Sequence, residues 1–109
     1  MTTPENKPPV LVYGIEYQGK LHSDFELRLP TIGDNIAVFE VTDNSSMLAV
    51  NTALLARCLT KLGTIPAEEI TVELLHKELV DDDYDVMWSA LDALKKKRQQ
   101  MNAAALTGA

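Results

Sequence analysis

Apolar and polar side chains alternate along two segments near the start of the chain, residues 10–17 and residues 21–29. A period of two is typical of strands that bury one face. Gln18-Gly19-Lys20 lies between the segments and suits a tight reversal, because glycine tolerates the backbone angles that a hairpin turn needs. The pattern therefore predicts an antiparallel β-hairpin. The solvent-exposed face of the hairpin is expected to carry the polar residues of the second strand, His22, Asp24, Glu26 and Arg28.

The stretch from Phe25 to Asp34 predicts a corner between the second strand and a first helix. Pro30 lacks a backbone N–H and disfavours helical geometry in the residue before it, so the strand should end there. Thr31 can accept a hydrogen bond from the first helical turn, and the Asp34 carboxylate can reach back to it. This capping box prefers Glu or Gln at the position of Asp34, so the fit is partial.

Apolar residues then recur at helical spacing. The first helix is predicted over residues 32–41, and its apolar stripe contains Ile32, Ile36 and Phe39. The second is predicted over residues 46–62, ending before Gly63, a residue that suits a helix C-terminus. Its apolar side chains cover about half of the circumference, whereas a surface helix needs a stripe of only about 100°. This helix is expected either at the centre of the core or against a partner.

Two further helices complete the predicted fold. A short helix starts near Pro66 or Thr71, and a longer one begins in the acidic residues 81–83. The stripe of the longer helix contains Tyr84, Met87, Trp88, Leu91 and Leu94. A lone hairpin is marginally stable, so these helices must cover its apolar face. We therefore predict an α+β fold, an N-terminal antiparallel β-hairpin followed by three to four packed α-helices.

Composition limits the chain to one small domain. Of its 109 residues, 46% are hydrophobic, which is ordinary for a globular protein. Residues 1–9 are polar and proline-rich and are predicted to form a flexible arm. Residues 10–98 form the predicted α+β domain, and residues 99–109, which lack a continuing apolar face, are expected to fray or project.

Charge and cysteine content exclude several classes of partner. The formal net charge of −6 repels phosphate backbones and argues against nucleic-acid binding. No apolar run is long enough to span a membrane, and residues 1–10 lack the apolar core of a secretory signal. Cys58 is the single cysteine, which fits a reducing compartment. We expect a soluble, intracellular protein.

No combination of residues indicates catalysis. His22 and His76 are isolated in sequence, and a small enzyme or metal protein that uses them is a third hypothesis behind two binding functions. The acidic run at residues 81–85 lacks the Gly and Glu of a calcium loop and is interpreted as helix N-terminal capping. The basic run Lys95–Arg98 is interpreted as a solvated helix end, with docking on an acidic partner as the alternative. We predict no enzyme, no cofactor and no bound metal.

The apolar helices instead predict a partner-binding face. Its breadth exceeds what a small domain needs for its own core, and flexible methionines suit varied helical partners. The candidate partner-binding residues are Met47, Asn51, Leu55, Leu59, Met87, Leu91 and Leu94.

The order of these signals resembles the tail assembly chaperones of Mu-like and P2-like phages and prophages. The likeness lies in four segments: Phe25–Asp34, Leu59–Gly63, Ile70–Leu75 and Leu79–Tyr84. With the closing helix that follows them, the signals run from Phe25 to Lys97 and cover about two thirds of the chain. The corner at Pro30 and Thr31 is the most specific part.

The resemblance implies a non-catalytic role in building a long phage tail. Members of the family are thought to hold the elongated tape measure protein soluble until tail tube subunits polymerise around it. It implies the tape measure protein as partner, with the tail tube protein and a second copy of the chain as further candidates, in the cytoplasm of a bacterial host. The alternative is a structural adaptor that stays in the tail or in another complex.

Overall fold

A computed structural model describes residues 9–43 and 45–107. It contains three strands, β1 (Val10–Tyr17), β2 (Lys20–Leu27) and β3 (Leu59–Leu62). The four helices are α1 (Ile32–Val41), α2 (Met47–Cys58), α3 (Val72–Glu78) and α4 (Asp81–Leu106), with a 3₁₀ turn at Ala67–Glu69. The predicted α+β fold with an N-terminal hairpin is confirmed. The predicted flexible arm lies outside the described residues, apart from Pro9.

The sheet has the order β1-β2-β3 and is antiparallel throughout. The prediction of one helix over residues 46–62 was wrong at its end, because α2 stops at Cys58 and the next four residues form β3. Phe25 pairs with Leu62 and Leu27 with Leu59. Strand pairing with β2, which only the folded chain provides, therefore overrides the local helical pattern.

Gly63 ends β3 rather than capping a helix. Its φ of +57° is in the left-handed region, and its amide donates to the Asp24 carbonyl at 2.7 Å. A Cβ atom at this position would overlap the ring of His22. Glycine is therefore required both by the backbone angle and by the close approach of a side chain.

The placement of His22 on the wet face of the hairpin was also wrong. Its side chain is only 8% exposed, whereas Leu21 is exposed. The pairing of β1 with β2 shifts between Val10 and Ile15, and this irregularity breaks the simple alternation, so His22 and Phe25 are both buried. The Thr64 amide donates to His22 Nδ1 at 3.3 Å.

The main core lies between the sheet and the helices. It contains ten buried residues: Leu11, Ile15, Phe25, Leu55, Leu59, Leu62, Ile65, Leu75, Met87 and Leu91. A second, smaller cluster lies between α1 and α2 and contains Val38, Val50, Ala53, Leu54 and Cys58. Together the two clusters use the inner faces of every helix, so α2 is central to the core.

Helix α4 extends beyond this core. Its 26 residues make a rod of about 39 Å. Met87 and Leu91 are buried, but every residue from Lys96 to Thr107 is exposed. Among the described residues, no helix combines the length and the apolar character that crossing a bilayer requires.

Candidate partner-binding surface

The orientation of α1 is set by the buried carboxylate of Asp34. Thr31 is the N-cap, and both bonds of the capping box are present: the Asp34 amide donates to Thr31 Oγ1 at 3.3 Å, and the Thr31 amide donates to the Asp34 carboxylate at 2.7 Å. The predicted corner is therefore present in full, because Asp reaches the N-cap amide as Glu would.

Two arginines from other elements complete this anchor. Arg28, just after β2, donates from both terminal nitrogens to the two Asp34 oxygens, at 2.7 and 2.8 Å. Arg57, in the last turn of α2, donates from Nε to Asp34 at 2.9 Å. Arg28 first, and then the Thr31 amide, hold the pKa of Asp34 far below its usual range. The same carboxylate raises the pKa of Arg28.

Because Asp34 faces the body, the opposite side of α1 faces solvent. Val38 lies one turn after Asp34 and is buried with it. The predicted apolar stripe is on the other side: Ile32 is 78% exposed, Ile36 55% and Phe39 44%. We call these three residues the α1 face. Large apolar side chains in one exposed row are typical of surfaces that another protein covers.

Exposed apolar residues continue along the chain past this helix. Val41 ends α1, and Met47 and Leu48 begin α2, where Ser46 caps the helix by accepting from the Ala49 amide at 3.2 Å. Leu48 also lines a shallow groove of about 340 Å³ between the start of α2, α3 and the start of α4. The α1 face is thus followed in sequence by further unburied apolar surface.

The seven predicted partner-binding residues do not form one surface. Leu55, Leu59, Met87 and Leu91 lie in the main core. Met47 is exposed, and Asn51 and Leu94 are half-buried. The sequence analysis did not select the α1 face, although Asp34 points to it. The Asp34 carboxylate accepts from Arg28 and Arg57, which turns its side of α1 toward the body. The opposite side, with the α1 face, is therefore left exposed.

The single cysteine and the side chains able to bind a metal were also located in the structure. Cys58 is buried, and this burial raises the pKa of its thiol. No cluster of three His, Cys, Asp or Glu side chains able to hold a metal occurs in the described part of the chain.

Asp83 corrects the interpretation of the acidic run as helix capping. The N-cap of α4 is Val80, which makes no side-chain capping bond. The buried Asp83 carboxylate instead accepts from the backbone amides of Val12, Tyr13 and Gly14, at 2.8, 2.9 and 3.1 Å. Asp83 therefore satisfies the unpaired amides of β1 at the edge of the sheet and ties that strand to α4.

Comparisons with protein-family models, with curated proteins and with solved structures found no match. The functional proposal therefore depends on the α1 face and on the resemblance noted in the sequence.

Proposed function

We propose that the protein is a phage tail assembly chaperone that binds the tape measure protein and keeps it soluble during tail assembly. The observation that carries the proposal is the α1 face, an apolar row on a helix whose rotation is set by Asp34. The protein acts without catalysis, in the cytoplasm of the bacterial host. The resemblance of the Phe25–Asp34 corner to the family supports the choice of client.

The geometry of the α1 face suits a helical client. Ile32, Ile36 and Phe39 are spaced at i, i+4 and i+7, the spacing at which one helix presents anchors to another. An elongated, helix-rich tape measure protein offers matching apolar stripes along its length. The anchor at Asp34 holds the face in its binding orientation before the client arrives, which lowers the entropic cost of association.

The size of the face favours reversible binding. Fully burying one such side chain is worth about 1.5–3 kcal/mol, and association itself costs about 4–15 kcal/mol. Three anchors therefore hold a client weakly at one site, so that tail tube subunits can displace the chaperone. The net charge of −6 opposes self-aggregation of a protein that exposes apolar surface.

Co-expression with the tape measure protein tests the proposal. The double variant Ile36→Asp/Phe39→Asp should lose the ability to keep the client in the soluble fraction and to co-purify with it. Leu21→Asp is the control, because Leu21 is also an exposed apolar residue and lies at the turn end of the hairpin, away from the α1 face. Circular dichroism of each variant must first show unchanged helix content.

Two outcomes would count against the proposal. A folded double variant that solubilises the client as well as the wild type does would exclude the α1 face as the binding site. Mass spectrometry that finds the protein at a fixed ratio in purified particles would favour the alternative, a structural adaptor retained in the tail.

A further inference from the structure

The two ends of the α1 face lie beside charges of opposite sign. At the Ile32 end, the buried Asp34 carboxylate accepts from Arg28 and Arg57. Arg28 uses both of its terminal nitrogens there, whereas Arg57 donates only from Nε. The terminal nitrogens of Arg57 make no hydrogen bond among the described residues, and its side chain is 47% exposed. The Ile32 end therefore presents a guanidinium group that can still bind another acid.

Helix α4 runs beside α2 and reaches the same end of the molecule. Tyr84 lines a groove together with Ser46, at the start of α2. One turn later, Trp88 packs against the cluster between α1 and α2. The Lys95 ammonium group lies 5.8 Å from the centre of the Trp88 ring. Because these contacts follow α2 from its start towards its end, α4 leaves the body near the last turn of α2, where Arg57 lies.

The Cys58 thiol, at the end of α2, lies within electrostatic range of these cations. Burial raises its pKa, whereas the charges of Arg28, Arg57 and Lys95 each act to lower it. Arg98 follows Lys95 by one turn on the same side of α4. It is exposed and makes no ion pair in the described part of the chain. We call Arg57, Lys95 and Arg98 the cationic end.

The Phe39 end of the α1 face is bordered by acids. Glu40 follows Phe39 directly, and Asp43 lies just beyond the end of α1; both are exposed. The Ser45 amide donates to Asp43 at 2.9 Å and holds the pKa of that carboxyl below its usual range. Neither acid makes an ion pair among residues 9–43 and 45–107. The apolar row of α1 thus runs from a positive region to a negative one.

We propose that the α1 face binds a helix of polarised charge, with acidic residues at its end beside Ile32 and basic residues at its end beside Phe39. The inference rests on the proposed function, because it specifies which client segments the face takes. Apolar anchors at helical spacing do not fix the direction of a bound helix. Opposite charges at the two ends do, because a reversed helix would set like charges together. Client segments without this polarity therefore bind more weakly.

The same observations disfavour a nucleic acid as the occupant. Phosphates would meet the cationic end, but they would also meet Glu40 and Asp43 at the other end of the row. A phosphate backbone offers no apolar surface to cover Ile36 and Phe39, which are both exposed. A helix with an apolar stripe satisfies both the row and the charges at its ends.

Two synthetic peptides of about 20 residues test the polarity on the full chain. Both carry leucines at i, i+4 and i+7. The polarised peptide has glutamates at one end and lysines at the other, and the neutral peptide has glutamine at all of those positions. Fluorescence anisotropy should show the polarised peptide binding about tenfold more tightly at about 20 mM salt. The difference should shrink at about 500 mM salt, because salt screens exposed charges.

Charge reversals at the two ends identify the residues responsible. Arg98→Glu and Glu40→Lys should each reduce the preference for the polarised peptide by about threefold or more. Lys96→Glu is the matched control, because Lys96 lies on the opposite side of α4 from Arg98, one turn after Asp92. A nitroxide on the acidic end of the peptide should broaden the amide signal of Ile32 and leave that of Phe39 sharp. Circular dichroism must show unchanged helix content in each variant.

The outcomes separate this inference from the proposed function. Equal affinity of the wild type for the two peptides overturns the polarity, and the proposed function stands if Ile36→Asp/Phe39→Asp abolishes both interactions. Binding of neither peptide contradicts the α1 face itself, and the proposed function with it. Equal effects of Arg98→Glu and Lys96→Glu overturn the role of the cationic end. Binding of a DNA duplex through Arg98, with no preference between the peptides, would assign that end to nucleic acid instead.

Discussion

Arg28 donates two parallel hydrogen bonds to the buried carboxylate of Asp34, at 2.7 and 2.8 Å. A forked pair of this kind fixes direction as well as distance. It binds the end of β2 to the first turn of α1, and with Val38 it decides which side of α1 meets the body. The apolar row Ile32, Ile36 and Phe39 is left to solvent as a result.

Removing this carboxylate should destabilise the protein. We expect Asp34→Ala to lower the free energy of unfolding by about 2–4 kcal/mol, since it removes a capping box and charge-assisted bonds from two arginines. Arg28 and Arg57 are about half-exposed and can turn to water, which keeps the loss moderate. Urea denaturation measures it. Asp24→Ala, which breaks the exposed pair with Lys61, should cost much less, because water and salt screen that pair; equal losses would contradict the anchor.

The free energy of unfolding should also depend on pH through the Asp34 carboxyl group. The pKa of folded Asp34 is far below the value of about 3.9 in an unfolded chain. Its contribution is therefore complete above that unfolded value and is lost as the pH falls below it, because the unfolded state then binds the proton first. Urea unfolding between pH 7 and pH 3 should show a decline in acid. The decline should be shallower in Asp34→Asn, and parallel curves would assign it to other carboxylates.

Removing the Asp83 carboxylate should also lower the free energy of unfolding. Asp83→Ala leaves the amides of Val12, Tyr13 and Gly14 without their acceptor, and we expect a loss of about 2–4 kcal/mol from these charge-assisted bonds. Hydrogen exchange should show faster exchange at those three amides. Asp85→Ala, on the exposed side of the same helix, is the control and should change neither quantity. Unchanged protection in Asp83→Ala would show that the amides have other acceptors.

Gly63 and Gly19 form a matched test of backbone strain and close approach. Both have positive φ, +57° and +77°. A Cβ at Gly19 meets nothing within 4 Å, so Gly19→Ala should cost only the left-handed strain of about 1–2 kcal/mol. Gly63→Ala adds an overlap with His22 and should cost more. Thermal unfolding compares the two. Equal costs would show that the His22 ring moves aside freely.

The local chemistry of several elements was sufficient for prediction. Thr31 begins α1 with no help from distant residues, because a capping hydroxyl acts within a few residues. The strand ends earlier than Pro30 predicts, since β2 stops at Leu27. The hairpin turn at Gly19 and the start of α4 at Asp81 were predicted from residues close in sequence, as Thr31 was. The apolar stripe of α1 was also predicted from the sequence, since the spacing of residues along one face of a helix depends only on helix geometry.

Which side of each element is buried depended on residues far apart in the sequence. Leu59–Leu62 became a strand because β2 offers an edge for pairing, and His22 was buried because the β1–β2 pairing shifts. The candidate partner-binding residues changed for the same reason, because Leu55 and Met87 are buried in the core whereas Ile36 is exposed. Periodicity tells which residues share a face, but the contacts of that face arise only when the chain folds. The sequence by itself thus determined the elements and their apolar stripes, and the long-range bonds of Asp34 and Asp83 decided what those stripes meet.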